Sequence, residues 1–248
     1  HVFINALRDR DQRPVDPDIY TQTSRRRMVD KRHAEWIAER IRRVSDLLSP
    51  DPPAPPTSGE TTHLTAADAD GNVVGITQSI EQVFGGKCAN PDFGFFYNNY
   101  MTTFDYRDMA HPYFLLPGAS PWSTVAPTLL YRKSKPWLSL GSPGSERIAT
   151  ALAQVITRVV DAGMSLEDAI EAPRMHASKA GTILIEKKRF DTTIIEGLEN
   201  AGFKLTRRGA YSFYLGCVQA IQLPLTPSDV FVGVADPRRD GSARGPGE

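Results

Sequence analysis

Thr61-Thr62-His63 follows directly on the run Ser49-Pro50-Asp51-Pro52-Pro53-Ala54-Pro55-Pro56-Thr57-Ser58-Gly59-Glu60. Proline lacks an N–H and its ring clashes inside a helix, so this run forms neither a helix nor an inner strand. It reads as an exposed, extended segment that stops at a threonine opening an apolar-alternating strand. A self-cleaving precursor would place its cut there. Scission between Glu60 and Thr61 would leave Thr61 with a free α-amine beside its own hydroxyl. A threonine hydroxyl is a weak nucleophile until a base takes its proton, and an N-terminal amine can be that base. The alternative is an ordinary linker before an ordinary strand.

A second group with chemical potential is Gly141-Ser142-Pro143-Gly144-Ser145, which feeds a helix. A Gly-rich turn entering a helix presents unpaired backbone N–H groups, and the helix dipole adds partial positive charge. Such a place holds an anion, or the oxyanion that develops when a carbonyl is attacked. The plainer alternative is a tight turn with Ser145 as N-cap, and the two share one geometry. His63 is close to Thr61, but an N-terminal amine makes a second base unnecessary, and His63 reads as structural. Tyr97, Tyr100 and Phe104 could line a pocket or fill a core.

The elements that must position these groups follow from periodicity. Residues 1–24 carry little pattern and read as irregular. From about Arg25 to Leu48, Ile37, Ile41, Val44 and Leu48 fall at helical spacing, with Glu39 and Arg43 as a supporting pair. Thr61–Ala67 and Val73–Ile80 flank Asp68-Ala69-Asp70-Gly71-Asn72 as a β-hairpin. Phe93–Tyr97 reads as a strand and 105–126 as a long loop of the functional kind. Thr128–Tyr131 pairs with Trp137–Leu140. Ile148, Leu152, Val155 and Val159 mark a helix to about Ala162. A short helix near 165–172 has Ser165 as N-cap and Asp168 in the capping-box position. Thr182–Glu186, Phe203–Thr206, Tyr214–Gln222 and Val230–Val234 read as strands, and Thr192–Ala201 as a helix. Strands, then helices, then strands again point to an α+β sandwich with sheets inside and helices outside.

Bulk properties narrow the function. The chain has 248 residues, 40% hydrophobic and 23% charged, as a globular protein does. Lys plus Arg equals Asp plus Glu at 29 each, so no global basic field draws nucleic acid. Arg25-Arg26-Arg27 is a local exception that reads as a solvated helix turn. No apolar run reaches the length of a membrane span. Cys88 and Cys217, the two cysteines, read as free and structural, and neither they nor the five His show metal-ligand spacing. No metal or other cofactor is expected. Residue 1 is His, so we expect the natural N-terminus to lie upstream, and the compartment stays open.

Taken together, Thr61-Thr62-His63-Leu64 with Asp70-Gly71-Asn72, Asn98-Asn99-Tyr100-Met101, Ala126-Pro127-Thr128, Gly141-Ser142-Pro143-Gly144-Ser145, Glu171-Ala172-Pro173-Arg174 and Ala235-Asp236-Pro237-Arg238-Arg239-Asp240-Gly241 resemble the γ-glutamyltransferase family of N-terminal-nucleophile hydrolases. The resemblance implies a four-layer αββα sandwich and self-cleavage at Glu60–Thr61. It makes 1–60 the C-terminal end of a large subunit with its Pro-rich linker, and 61–248 the small, catalytic subunit. The rest of the large subunit, which would be the partner in a pair or a heterotetramer, lies outside this chain. By the same resemblance Thr61 is the nucleophile, Ser79 holds its hydroxyl, and Gly144 and Ser145 supply oxyanion N–H groups. Ser123 and Thr124 match a serine pair that binds a substrate α-carboxylate. Glu81, Tyr100 and Thr103 stand where many members have asparagine, glutamine and an aspartate that pairs with the substrate's α-ammonium. A hydroxyl does not replace a carboxylate as that counter-ion. The expected substrate is therefore a small-molecule amide, with recognition altered from γ-glutamyl. Two alternatives are a true γ-glutamyl enzyme acting on glutathione-like compounds, and an unprocessed relative acting as a binding protein.

Overall fold

The computed structural model describes residues 1–11, 29–43, 59–111 and 113–246. The arginine triplet at 25–27, the ends of the helix expected over 25–48 and most of the Pro-rich run fall outside them.

The centre is a four-stranded antiparallel sheet in the order β3 (Thr128–Arg132), β4 (Lys135–Gly141), β8 (Gln219–Gln222), β9 (Val232–Val234). Successive strand residues face opposite sides. Leu138 and Leu140 are fully buried against α3 (Arg147–Val160), whose Ile148, Ala151, Leu152, Val155 and Val159 form its inner stripe. Ser139 and Gly141 face the other way, onto the hairpin β1 (Gly59–Ala67) and β2 (Val73–Gln82): Thr65 Oγ1 donates to Ser139 Oγ at 2.6 Å. A helix, a sheet and a hairpin thus stack in that order. The outer hairpin face carries Leu64, Val74 and Ile76 in exposed positions.

A three-stranded sheet, β5 (Met175–Ala177), β6 (Thr182–Glu186) and β7 (Lys204–Arg208), lies beside this stack. β6 and β7 run parallel and are joined through α5 (Thr192–Asn200). The short α4 (Leu166–Glu171) is capped as expected: Ser165 Oγ accepts from Asp168 N–H and donates to the Asp168 carboxylate.

Several expectations need correction. Val2–Asp11 is a helix (α1), not an irregular stretch. Its Ile4 and Leu7 are buried, and Ile4 packs with Ala177 and Ile183, so tertiary burial supplies what the short apolar pattern did not announce. Among the described residues Phe93–Tyr97 makes only an isolated bridge, Ala89 with Phe96; near solvent Phe93 and Phe95 stack and Tyr97 meets Phe95 edge-on. The Tyr214–Gln222 segment is broken: Phe213–Leu215 is a 3₁₀ turn, and Gly216, at φ 82°, redirects the chain before β8. The expected helix over 25–48 appears as α2 (Lys31–Arg43), which carries the Arg43–Glu39 pair at 2.8 Å.

Candidate active site

The strand register builds the site. Thr61 faces Ser79, His63 faces Thr77 and Thr65 faces Gly75 across the hairpin. The pairing then steps over Ile80, so that Glu60 faces Glu81, which sits at φ 72°. A β-bulge of this kind re-aims the side chains next to it. Ser79 Oγ accepts from the Thr61 hydroxyl at 2.9 Å, donates to the Glu60 carbonyl at 3.1 Å, and accepts from Glu81 N–H at 3.1 Å. One hydroxyl therefore touches both the candidate nucleophile and the carbonyl carbon's oxygen next to it. Glu60 and Thr61 are joined by a peptide bond here. Glu81 is half-buried, and burial holds its carboxyl above the ordinary range.

His63 fills the space between hairpin and sheet. Its Nδ1 lies 2.8 Å from Thr77 Oγ1, and burial pushes its pKa down to about 4. A Cβ on Gly141 would stand 2.2 Å from that ring nitrogen, so only glycine fits there. A neutral, wedged imidazole is a packing group, as the sequence reading held.

At the end of β4, Pro143 and Thr61 line one cavity of about 560 Å³, shared with Cys217, Gln219, Arg239 and Arg244. Beyond Pro143 the backbone turns sharply, with Gly144 at φ 134° and Ser145 at φ 54°. The Gly144 and Ser145 carbonyls accept from Arg147 and Ile148 N–H, each at 3.0 Å. The N–H groups of Gly144 and Ser145 have no hydrogen-bond partner among the described residues. Ser145 is not the N-cap; that position belongs to Glu146, whose φ and ψ are already helical. Because the Gly144 carbonyl turns to Arg147 N–H, the Ser145 N–H of the same peptide points the opposite way.

Ser79 also borders a second cavity, of about 270 Å³, with Thr77, Tyr100, Pro121, Ser123 and Val125. Tyr100 Oη and Ser123 Oγ are 3.3 Å apart. The structure thus brings Ser79, Tyr100 and Ser123 together. Thr103 is turned back on its own 3₁₀ turn, donating to the Tyr100 carbonyl at 2.7 Å. Thr124 is half-buried beside Ser123 and does not border this cavity. Of the candidate pocket aromatics, Tyr100 borders the cavity, Phe104 is core, and Tyr97 is exposed. Among the described residues no group of three His, Cys, Asp or Glu could hold a metal. Cys88 is exposed, not structural, while Cys217 is buried with its thiol pKa raised to about 11 by desolvation.

Sequence reading missed the polar scaffold behind the loop. Asp236 accepts from Arg174 Nη1 at 2.7 Å, Val218 N–H at 2.8 Å and Arg238 Nη1 at 3.1 Å. Glu186 takes Arg238 bidentately, at 2.7 and 2.8 Å. All four side chains are fully buried. Arg174, Asp236 and Arg238 lay inside motifs, but nothing in their spacing announces an ionic core.

The sequence profile described as Gamma-glutamyltranspeptidase matches residues 2–245. The chain is 35% identical over 193 residues to a glutathione hydrolase proenzyme of Bacillus subtilis, covering 78% of this chain and 32% of that protein. It is 31% identical over 252 residues to the acylase ACY 1 proenzyme of a Pseudomonas species, covering 98% and 42%. The chain therefore spans about a third to two fifths of the length of these relatives. A solved Helicobacter pylori γ-glutamyltranspeptidase mutant superposes with a TM-score of 0.65 at 31% identity, covering 72% of this chain and all of that one.

Proposed function

Since this chain belongs to the gamma-glutamyltranspeptidase family, we propose that it carries the catalytic part of an N-terminal-threonine amidohydrolase or acyltransferase that frees its own nucleophile by cutting Glu60–Thr61. The observation that carries this reading is the Ser79 hydroxyl, shared between Thr61 Oγ1 and the Glu60 carbonyl at the foot of the bulge.

In the self-cleavage step Thr61 Oγ attacks the Glu60 carbonyl carbon. Its proton passes to the Thr61 nitrogen as the C–N bond breaks, leaving an ester. Ser79, donating to the Glu60 oxygen, favours the charge that gathers there. Water then hydrolyses the ester and leaves Thr61 as an amine. That amine takes the Thr61 hydroxyl proton when the oxygen attacks a substrate amide. The new oxyanion is received by the unpartnered N–H groups of Gly144 and Ser145, and the proton goes to the departing amine. Water or a second amine then takes the acyl group from Thr61. The mature small subunit, 61–248, works with a large subunit within the four-layer αββα arrangement. The helix–sheet–hairpin order supports that layering.

The relatives' names divide between glutathione hydrolase and acylase. Thr103, with its hydroxyl spent on the Tyr100 carbonyl, offers no charge to an α-ammonium, which favours an acyl group other than γ-glutamyl. The test compares a γ-glutamyl anilide with a glutaryl anilide, which lacks the ammonium, on the full-length processed protein. Comparable or faster release from the glutaryl compound supports altered recognition. A tenfold preference for γ-glutamyl returns the assignment to a true γ-glutamyl enzyme. Electrophoresis that shows no scission at Glu60–Thr61 after long incubation leaves only a binding role.

A further inference from the structure

Ser142 is fully buried and stands between two backbone groups from distant parts of the chain. Its hydroxyl accepts from Cys217 N–H at 2.9 Å and donates to the Pro143 carbonyl at 2.7 Å. In a trans peptide the C=O and the following N–H point in opposite directions within one plane. Anchoring the Pro143 oxygen therefore aims the Gly144 N–H. The next peptide is fixed the same way, with the Gly144 carbonyl held by Arg147 N–H at 3.0 Å, so that the Ser145 N–H is aimed in turn. Both peptides are pinned at their carbonyl ends, and among the described residues neither N–H group has a partner.

The far side of the clamp is equally confined. Gly216 sits at φ 82°, and a Cβ there would come within 2.9 Å of both Ser142 Oγ and the Ala151 methyl. Val218 N–H is held by the buried Asp236 carboxylate. The Cys217 N–H thus meets Ser142 from a segment held on both sides, by the close approach at Gly216 and the Val218–Asp236 bond.

We infer that Ser142 is a positioning residue for the reaction. Its hydroxyl orients the Gly144 N–H toward the oxyanion formed on the carbonyl that Thr61 attacks. This rests on the proposed nucleophile and oxyanion assignment. It adds a requirement that assignment does not contain: a side-chain hydroxyl that never meets substrate sets the direction of a backbone donor.

The test uses full-length protein carrying Ser142→Ala, Ser142→Cys or Thr61→Ala, with turnover of wild type and the Ser142 variants normalised to chains that begin at Thr61, and that of Thr61→Ala to total folded protein. Removing an oxyanion donor outright costs about 100- to 1000-fold in kcat. A donor that is present but mis-aimed should cost less, roughly 10- to 100-fold. We expect Ser142→Ala to lower kcat by that amount while KM stays within about twofold, since the ground-state carbonyl needs this donor less than the oxyanion does. Ser142→Cys keeps a weak donor and acceptor in nearly the same volume, and should recover part of the rate. Folded Ser142→Ala with wild-type kcat, alongside inactive Thr61→Ala, overturns the inference and leaves the assigned function standing. So does a loss that only follows the folded fraction and is equal in the Ala and Cys variants. Turnover by Thr61→Ala overturns both readings. If Ser142→Ala does not fold, Ser142→Cys decides: a kcat at least threefold lower at unchanged KM supports the inference, and an unchanged kcat overturns it.

Discussion

Replacing Ser79 by alanine removes one oxygen that makes three hydrogen bonds, to Thr61 Oγ1, the Glu60 carbonyl and Glu81 N–H. The site is half-buried, so water can replace part of what is lost. At about 0.5–1.5 kcal/mol per bond in the net, the stability loss should be about 1–3 kcal/mol, too little to unfold a domain. The rate effect should be larger. The Glu60 oxygen loses its side-chain donor at the moment charge builds on it, and Thr61 Oγ1 loses the acceptor that fixes its rotamer. Taking the lower end of the range for a lost oxyanion donor, self-cleavage should slow by about 100-fold. Ser79→Thr, which keeps the hydroxyl, should cleave within a few-fold of wild type. The assay is a time course of denaturing electrophoresis on the full-length precursor, with N-terminal sequencing of the smaller product. Cleavage of the folded alanine variant at the wild-type rate would refute the reasoning, because the shared hydroxyl would then be a bystander.

Gly141→Ala should cost about 1–3 kcal/mol or more, since its Cβ would lie 2.2 Å from the wedged His63 ring, whereas Gly209→Ala has open space and should change little; urea unfolding of both variants checks the contrast. Burial holds both His63 and His176 down to about 4. The unfolded chain titrates near 6.5, so stability should be full above that pH and fall by roughly 1.4 kcal/mol per pH unit for each histidine as pH drops toward 4. Unfolding midpoints at pH 7, 6 and 5 that stay level would contradict this. Asp236→Asn leaves Arg174 and Arg238 short of a counter-charge in a dry site and should destabilise by about 3–5 kcal/mol, read by the same unfolding assay; a loss below about 1 kcal/mol would show that the charges are compensated elsewhere.

Local pattern was enough for the elements nearest the candidate site. Asp68-Ala69-Asp70-Gly71-Asn72 makes the hairpin turn, with the Asp68 carboxylate accepting from Asp70 N–H and Asn72 N–H. Ile148, Leu152, Val155 and Val159 all point into the core, as their spacing requires. The same logic failed where burial comes from distant residues. α1 has a weak apolar pattern and packs because Ala177 and Ile183 receive Ile4. Phe93–Tyr97 has strand-like residues but, among the described residues, no continuous partner strand.

Composition and order along the chain determined by themselves that Thr61 follows a Pro-rich run, opens a strand and precedes a glycine turn feeding a helix. Those are properties of consecutive residues. Only the tertiary structure decided that the Ser79 hydroxyl, already matched to Thr61 by resemblance, also reaches the Glu60 carbonyl, beside a bulge at Ile80 that changes the register by one residue. Only it decided that Ser142 reaches Cys217 across 75 positions, and that His63 occupies the space a side chain on Gly141 would need. Hydrogen bonds and steric exclusion act over a few ångströms of space, whatever the separation along the chain, so a single sequence carries no local mark of them.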